Sequence, residues 1–515
     1  MLQIKNLSIT HTKDMKNLIS NFSFVLNPGD KAVIIGEEGN GKSTMLKWIY
    51  DPLLVDGYTE CSGERVISNE RLAYLPQELP ESDQNRTVYE YFSGSDLFFQ
   101  KSPKELSLLA SQLSLGNDIY YSDQLMKQLS GGEKIKVQFL KLLLDEPTAL
   151  LLDEPSNDID LKTLEWLERF IQDFSGIVLF ISHDEVLIER TANAVIHIEQ
   201  VRRKTVSRCT FMRTVFAEYA AIRQANLNNQ EALALNQRRQ IKKQEEKFRK
   251  IYEKVSNDQK NISRQDPHGG RLLKKKMHAV KSLEHRYERQ KEDAVEVPDL
   301  EEAMYIRFDN RSCAIPAGKT VLDLLIEKLM CPDGKRILAE NLHLFIRGSE
   351  KVCIIGENGT GKSTLIRIIA DQLLARDDIS AMYMPQNYAD LIDSVDTPVR
   401  FLSETYDKEE QTRIRTYLGS MKYTAQEMEH PIEELSGGQK AKLILLKLSM
   451  SDANVLILDE PTRNLSPLSG PVVRHALRSF PGAIISVSHD RKFMEEVCDH
   501  IYELTPDGLS EYYLQ

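Results

Sequence analysis

Long apolar runs are missing from this 515-residue sequence; none approaches the 18 or more residues that a membrane-crossing helix needs. Its first residues, MLQIKNLSIT, lack the apolar core and the small-residue cleavage site of a secretory leader, and read as the first strand of a domain. Cysteine is sparse. The six residues Cys61, Cys209, Cys313, Cys331, Cys353 and Cys498 are scattered with no CxxC pair. That pattern argues against a zinc site, an iron–sulfur cluster or a secreted disulfide framework, and is expected of reduced thiols in the cytoplasm. Glycine and proline all but vanish between about Phe211 and Lys260, and no Phe, Tyr or Trp occurs between Lys254 and Arg286. The first gap admits a long helix built from Glu, Gln, Lys, Arg, Ala and Leu. The second removes base stacking on aromatics from whatever that stretch touches.

What is present is charge, unevenly spread. The net charge is −11, yet residues 217–295 hold 19 Lys and Arg against 11 Asp and Glu, a net of +8, so the remainder carries −19. A basic segment between two acidic regions suggests a polyanionic partner. Within it, apolar positions such as Ile222, Leu233, Ile241, Phe248, Ile251 and Val255 recur at roughly helical spacing, Asp266-Pro267-His268-Gly269-Gly270 supplies a turn, and 271–292 reads as a returning helix. The expectation is an antiparallel helical hairpin with a basic tip at about 254–276.

The flanking regions repeat each other. GEEGNGKST at 36–44 recurs as GENGTGKST at 356–364, LSGGEK at 129–134 as LSGGQK at 435–440, LLLDEP at 150–155 as LILDEP at 456–461, and ISHD at 181–184 as VSHD at 487–490. The last three pairs share an offset of 306 and the first has 320, so the first half holds 14 extra residues, 11 of them before the YLPQ/YMPQ segments that contain Gln77 and Gln386. The constant offset pairs Asp153 with Asp459 and sends Asp145 to Ser451, so in the earlier LLLDEP at 142–147 Asp145 and Glu146 are expected to be loop residues preceding the strand. Apolar runs such as VIIG and VCIIG feed directly into the Gly-rich loops, the strand–loop–helix order of an α/β fold. The domains expected are 1–210, a helical linker at 211–296, and 297–515.

Each GxxxxGKS/T pattern can wrap its backbone N–H groups around phosphates at a helix N-terminus. Gly36, Gly39 and Gly41 shape the first loop, and Gly356, Gly359 and Gly361 the second; Lys42 and Lys362 add positive charge, followed by Ser43, Thr44, Ser363 and Thr364. Asp153 and Asp459 end apolar strands, where a carboxylate can reach a metal through its water shell, and Glu154 and Glu460 follow, placed to polarise an attacking water. His183 and His489 follow two further apolar strands and can sense a terminal phosphate.

Gly loop, Gln, LSGG, apolar strand with Asp-Glu, and Ser-His-Asp, in that order and twice over, resemble the ATP-binding-cassette (ABC) ATPases. The fold implied is two tandem ABC-type P-loop ATPase domains joined by a long α-helical hairpin. The resemblance implies that the cassettes pair head to tail within one chain, with ATP and Mg²⁺ as ligands. One site would join Lys42, Ser43, Gln77, Asp153, Glu154 and His183 to Ser436, Gly437 and Gly438. The other would join Lys362, Ser363, Gln386, Asp459, Glu460 and His489 to Ser130, Gly131 and Gly132. Ser43, Gln77 and Asp153, with Ser363, Gln386 and Asp459, would hold Mg²⁺, partly through water. After Glu460 the sequence runs PTRNLS, where the first half has PSNDID, so Ser466 stands where the first half has Asp160, and the two sites are expected to be inequivalent. His11 and Phe345 are candidates for stacking on adenine.

Two cassettes joined by a linker of this length and character are most similar to the ABC-F branch. The PTRNLSPLSGPVVRHAL and NISRQDPHGGRLLKKKM stretches resemble its antibiotic-resistance members from Gram-positive bacteria. That resemblance implies a cytoplasmic partner, the bacterial ribosome, bound at the exit site with the linker reaching past the P-site tRNA toward large-subunit rRNA and the peptidyl-transferase centre. Lincosamides, pleuromutilins and group A streptogramins would be displaced there. Lys260, Arg264, His268, Arg271, Lys274, Lys275 and Lys276 would make the contacts, chiefly to phosphates. No membrane partner is expected. A housekeeping translation factor of the same branch and an ATPase subunit of a transporter are the alternatives.

Overall fold

In the computed structural model the chain forms two compact units, Met1–Phe216 with Glu301–Gln515, and Ala217–Leu300. The structure describes residues 1–513 apart from 202–203, 262–266, 293–303, 305, 309–311, 332–333, 335 and 393–394, and apart from the side chains at 259–261, 267–270, 273, 284 and 288–292.

The larger unit contains both cassettes. Across the first core sheet the strands run Leu72–Leu75, Ala149–Asp153, Ile177–Ile181, Lys31–Ile35, Ala194–Val201 and Val206–Met212. Across the second they run Ala381–Met384, Val455–Asp459, Ala483–Val487, Lys351–Ile355, His500–Thr505 and Gly508–Glu511. In each sheet all neighbours are parallel except the last pair. KAVII, ALLLD and IVLFI, and likewise KVCII, VLILD and AIISV, are buried at every position. A parallel sheet covered on both faces has no wet side, so its strands read as continuous apolar runs without alternation. The Gly loops and the Asp-Glu pairs leave the sheets at the same strand ends, where ligands bind in such folds.

The extra length of the first half becomes a strand. Thr59–Ile67 pairs antiparallel with Leu2–His11, which also pairs with Asn17–Leu26, giving a three-stranded flanking sheet. The second cassette has a two-stranded counterpart, Thr320–Met330 with Ile337–Arg347, and among its described residues nothing intervenes between the helix Lys362–Leu374 and the strand Ala381–Met384 but a short connection. The first LLLDEP copy straddles the end of the helix Gly131–Leu143; Glu146 follows in a left-handed turn at φ 46°, paired with Lys101 at 2.5 Å.

The smaller unit is built on the helices Phe216–Asn261 and Pro267–Glu292. At 1.5 Å per residue the first spans about 70 Å. Phe248 meets Tyr287 edge-on with ring centroids 6.3 Å apart, so the second helix runs back along the first. Two sequence-based expectations shift. Phe211 and Met212 belong to the strand Val206–Met212, whose pairing with Ala194–Val201 overrides local helix propensity. Pro267, His268, Gly269 and Gly270 lie in the first turn of the returning helix, not in a turn before it. Proline suits a first helical position because its missing N–H has no partner to lose there. Of the apolar stripe, Val255 is buried while Leu233 and Ile251 are exposed, because a pair of helices covers only one face of each. Arg264 lies outside the described residues, as do the side chains of Lys260 and His268.

Candidate functional site

The strand Lys31–Ile35 runs into Gly36 at φ +144°, where a Cβ would stand 2.2 Å from the Ile198 carbonyl oxygen. Only glycine permits that approach. Gly41, left-handed at φ 89°, then opens the helix Lys42–Tyr50. Lys42 is buried, its Nζ donating to the Gly36 carbonyl at 2.8 Å and the Glu37 carbonyl at 3.1 Å. Ser43 Oγ donates to Asp153 Oδ1 at 2.9 Å, and the Tyr74 hydroxyl to Asp153 Oδ2 at 3.2 Å. Glu154 gathers Gln77 Nε2 at 3.4 Å, His183 Nε2 at 3.2 Å and the Asn157 amide. Burial opposes its ionisation, yet His183 and Lys42 outweigh burial and hold its pKa at about 2.

The second cassette repeats the chemistry with a different electrostatic outcome. Lys362 Nζ donates to the Gly356 and Glu357 carbonyls, each at 2.9 Å. His489 Nε2 lies 3.9 Å from Glu460 Oε1, beyond hydrogen-bond range, and His489 Nδ1 is buried without a hydrogen-bond partner. Burial, then the neighbouring Asp459, raises Glu460 to about 8. Burial also raises Asp459 to about 6, and burial with the nearby Lys362 lowers His489 to about 4. Both Glu154 and Glu460 are left-handed, at φ 51° and 55°, a conformation costly for a residue with a long side chain.

The two cassettes meet head to tail. A cavity of about 1050 Å³ is lined by the second Gly loop from Glu357 to Thr364, by Gln386, Asp459, Glu460 and His489, and by Ser130 and Gly131 of the first cassette. Asn358 Nδ2 donates to the Asp158 carbonyl at 2.6 Å, and Arg463 pairs with the Asp158 carboxylate at 3.1 Å. Ser130 caps its helix in a reciprocal box with Glu133, as Ser436 does with Gln439, so the S-x-x-E/Q spacing has a local folding role as well. Gly132 does not line the cavity; it packs where a Cβ would come within 2.5 Å of Thr163 Oγ1. Phe345 is half exposed and also outside the cavity lining, which takes Cys331, Arg336 and Leu338 from that hairpin. His11 lies 6.5 Å from the Tyr58 ring and binds Asp14 at 2.8 Å.

The other composite site is closed by protein groups. Glu38 accepts from the Gly438 amide, in the first turn of the helix Gly437–Met450. Glu37, buried beside it, pairs with Lys442 at 2.7 Å and accepts from Ser469 Oγ at 2.8 Å. His183 Nδ1 reaches the Leu465 carbonyl at 2.6 Å across the interface. Beyond the sites, a charged seam joins acidic groups of the first cassette to basic groups of the second: Glu185 to Arg474 at 2.6 Å, Asp184 to Arg491 at 3.2 Å and Glu189 to Lys492 at 3.0 Å. Glu37, Glu38, Lys442, Leu465 and Ser469 were not expected from motifs; the one local signal is that Glu38 stands where the second loop has Asn358.

A family model described as ABC transporter matches residues 19–157 and 339–463, just over half of the chain. The chain belongs to the ABC transporter family. Among curated ABC relatives, the energy-dependent translational throttle protein EttA of Haemophilus influenzae is 26% identical over 97% of this chain and 91% of its own length. ABC transporter F family member 5 of Arabidopsis thaliana is 25% identical over 96% and 74%. Among solved structures, a complex of the archaeal ribosomal stalk protein aP1 and the archaeal ribosome recycling factor aABCE1 matches with a TM-score of 0.57 at 18% identity, over 97% of this chain and 87% of that one. That likeness is one of fold, two ABC ATPase domains in tandem. Among the described residues no helix is long and apolar enough to cross a membrane.

Proposed function

We propose that this chain is an ABC-F ATPase that acts on the bacterial ribosome and protects it from peptidyl-transferase-centre antibiotics: lincosamides, pleuromutilins and group A streptogramins. Its working parts are a first cassette within Met1–Phe216, a helical linker within Ala217–Leu300 and a second cassette within Glu301–Gln515. The observation that carries the reading is the exposed basic run Arg271, Lys274, Lys275 and Lys276 on a long helical insertion between two cassettes that are themselves acidic. Such a surface suits the phosphates of rRNA and tRNA, which supply affinity without sequence preference. The relative named a translational throttle supports a ribosomal partner.

In this reading ATP spans each Gly loop and the opposite LSGG. Lys42 and Lys362 exchange their backbone carbonyl partners for phosphate oxygens. Glu154 and Glu460 orient and polarise the attacking water, and His183 and His489 hold the terminal phosphate in register. The residues present fit a divalent cation. Asp459 Oδ1 is buried with no hydrogen-bond partner, and Ser43 Oγ stands beside Asp153. Ser43, Gln77 and Asp153, and Ser363, Gln386 and Asp459, would hold Mg²⁺, which neutralises phosphate charge when bound. Closure on ATP and opening after hydrolysis would drive the linker's entry and exit.

The same relative's name favours a second reading, a housekeeping factor that relieves stalled ribosomes without drug. Cell-free translation separates the two. Rescue of lincosamide-inhibited synthesis, abolished by altering 260–272 while ATPase activity persists, supports protection. Equal stimulation with and without drug supports the housekeeping reading, and no effect on either sinks both.

A further inference from the structure

The offset of 306 places Arg463 opposite Asn157 of the first cassette. The two residues do different things. Asn157 is a neutral amide that donates to Glu154. Arg463 lines the large cavity with Lys362, Asp459 and Glu460, and its backbone N–H closes a turn on the Glu460 carbonyl at 3.1 Å. It therefore shares a cavity wall with the acidic strand end, Asp459 and Glu460. Across the cavity it pairs with Asp158 of the first cassette at 3.1 Å. Arg463 is about one-third exposed and Asp158 mostly exposed, so this is a wet, exchangeable pair and not a structural anchor.

We propose that Arg463 is a phosphate ligand specific to the second site, held by Asp158 until ATP arrives and then transferred to the terminal phosphate. The inference rests on the reading of this cavity as an ATP site. A terminal phosphate lies where Lys362 and Glu460 converge, within the sweep of an arginine anchored three residues beyond Glu460. A planar guanidinium binds phosphate oxygens in a fork and outcompetes a solvated carboxylate pairing once charge density is higher. The transfer frees Asp158, which lies in the loop that follows Glu154, so ATP arrival at the second site is felt beside the catalytic glutamate of the first. The first cassette has the neutral Asn157 at that position and sends no such signal back.

The test is equilibrium binding of ATP and ADP to the full chain carrying Lys42→Ala, so that the second site is read alone. Arg463→Asn, which installs the first cassette's residue, is expected to weaken ATP about tenfold and ADP far less, with Arg463→Lys recovering part of the loss. Asp158→Asn is expected to tighten ATP several-fold, and that gain should vanish in the Asp158→Asn, Arg463→Asn double variant. Equal weakening of ATP and ADP, an unchanged ATP affinity, or an Asp158→Asn effect that survives loss of Arg463 would each overturn the inference. A Lys42→Ala chain that binds no ATP at all would remove the second-site reading itself.

Discussion

The pair Glu37–Lys442 offers a quantitative test of how the cassettes are held. The side chains are 10% and 5% exposed, lie 2.7 Å apart and belong to different cassettes. Lys442→Met keeps most of the buried stem and removes the charge. Glu37 is then a buried carboxylate left with the Ser469 hydroxyl, at 2.8 Å, and the weaker influence of the Lys42 charge. Breaking a buried pair by removing one partner costs about 3–5 kcal/mol, whereas replacing both partners with groups of similar volume is often near neutral. For a cassette of roughly 200 residues that single loss corresponds to a fall of about 6–20 °C in the calorimetric transition that involves the interface. Glu37→Gln with Lys442→Met should recover most of it. Burial opposes ionisation of Glu37, but Lys442 prevails and lowers its pKa below the ordinary 4.5, so the pair's contribution is present above that value and is lost as pH falls through the lowered one. A Lys442→Met chain within about 0.5 kcal/mol of the parent, the range of an ordinary surface change, would refute the clamp.

Three further outcomes are expected. Glu460, raised to about 8, should show a protonated-carboxyl infrared band in the nucleotide-free chain at neutral pH that fades as pH rises through 8; Glu460→Gln should remove it and Glu154→Gln should not, and a band insensitive to Glu460→Gln would contradict the assignment. Gly36→Ala should destabilise the first cassette by about 1–3 kcal/mol or more, because its Cβ would press on the Ile198 carbonyl; unfolding midpoints that match the parent would contradict that geometry. Replacing Arg271, Lys274, Lys275 and Lys276 with Gln should weaken ribosome binding and flatten the slope of log affinity against log salt by roughly 3, and an unchanged slope would show that these side chains do not meet phosphates.

Much of the fold was legible because its signals are contiguous. Short, almost wholly apolar runs such as IVLFI and VLILD fit doubly covered strands, and the Gly loops follow KAVII and KVCII without a gap. The constant offset resolved which of two LLLDEP copies ends the strand. Less legible were features set by distant partners. Phe211 is a strand residue only because Ala194–Val201 lies beside it. The motifs joined the first Gly loop to Gly438 but did not single out Glu38 as the residue that meets it, and the left-handed backbone at Glu154 is not announced by its residue type. The inequivalence of the sites was visible in PTRNLS against PSNDID, but its sign was not. The His183 ring bridges Glu154 and the Leu465 carbonyl, while the matching His489 ring makes neither hydrogen bond and only its backbone N–H reaches Glu460, at 3.4 Å.

The central claim, a nucleotide-gated ribosome factor, is tested most directly by ribosome co-sedimentation of the Glu154→Gln, Glu460→Gln chain with ATP, with ADP or with no nucleotide. Both substitutions remove the carboxylate proposed to polarise water and should hold the cassettes closed on ATP. Retention on ribosomes with ATP alone is the expected result. A chain that binds ATP yet stays off the ribosome in all three conditions would contradict it.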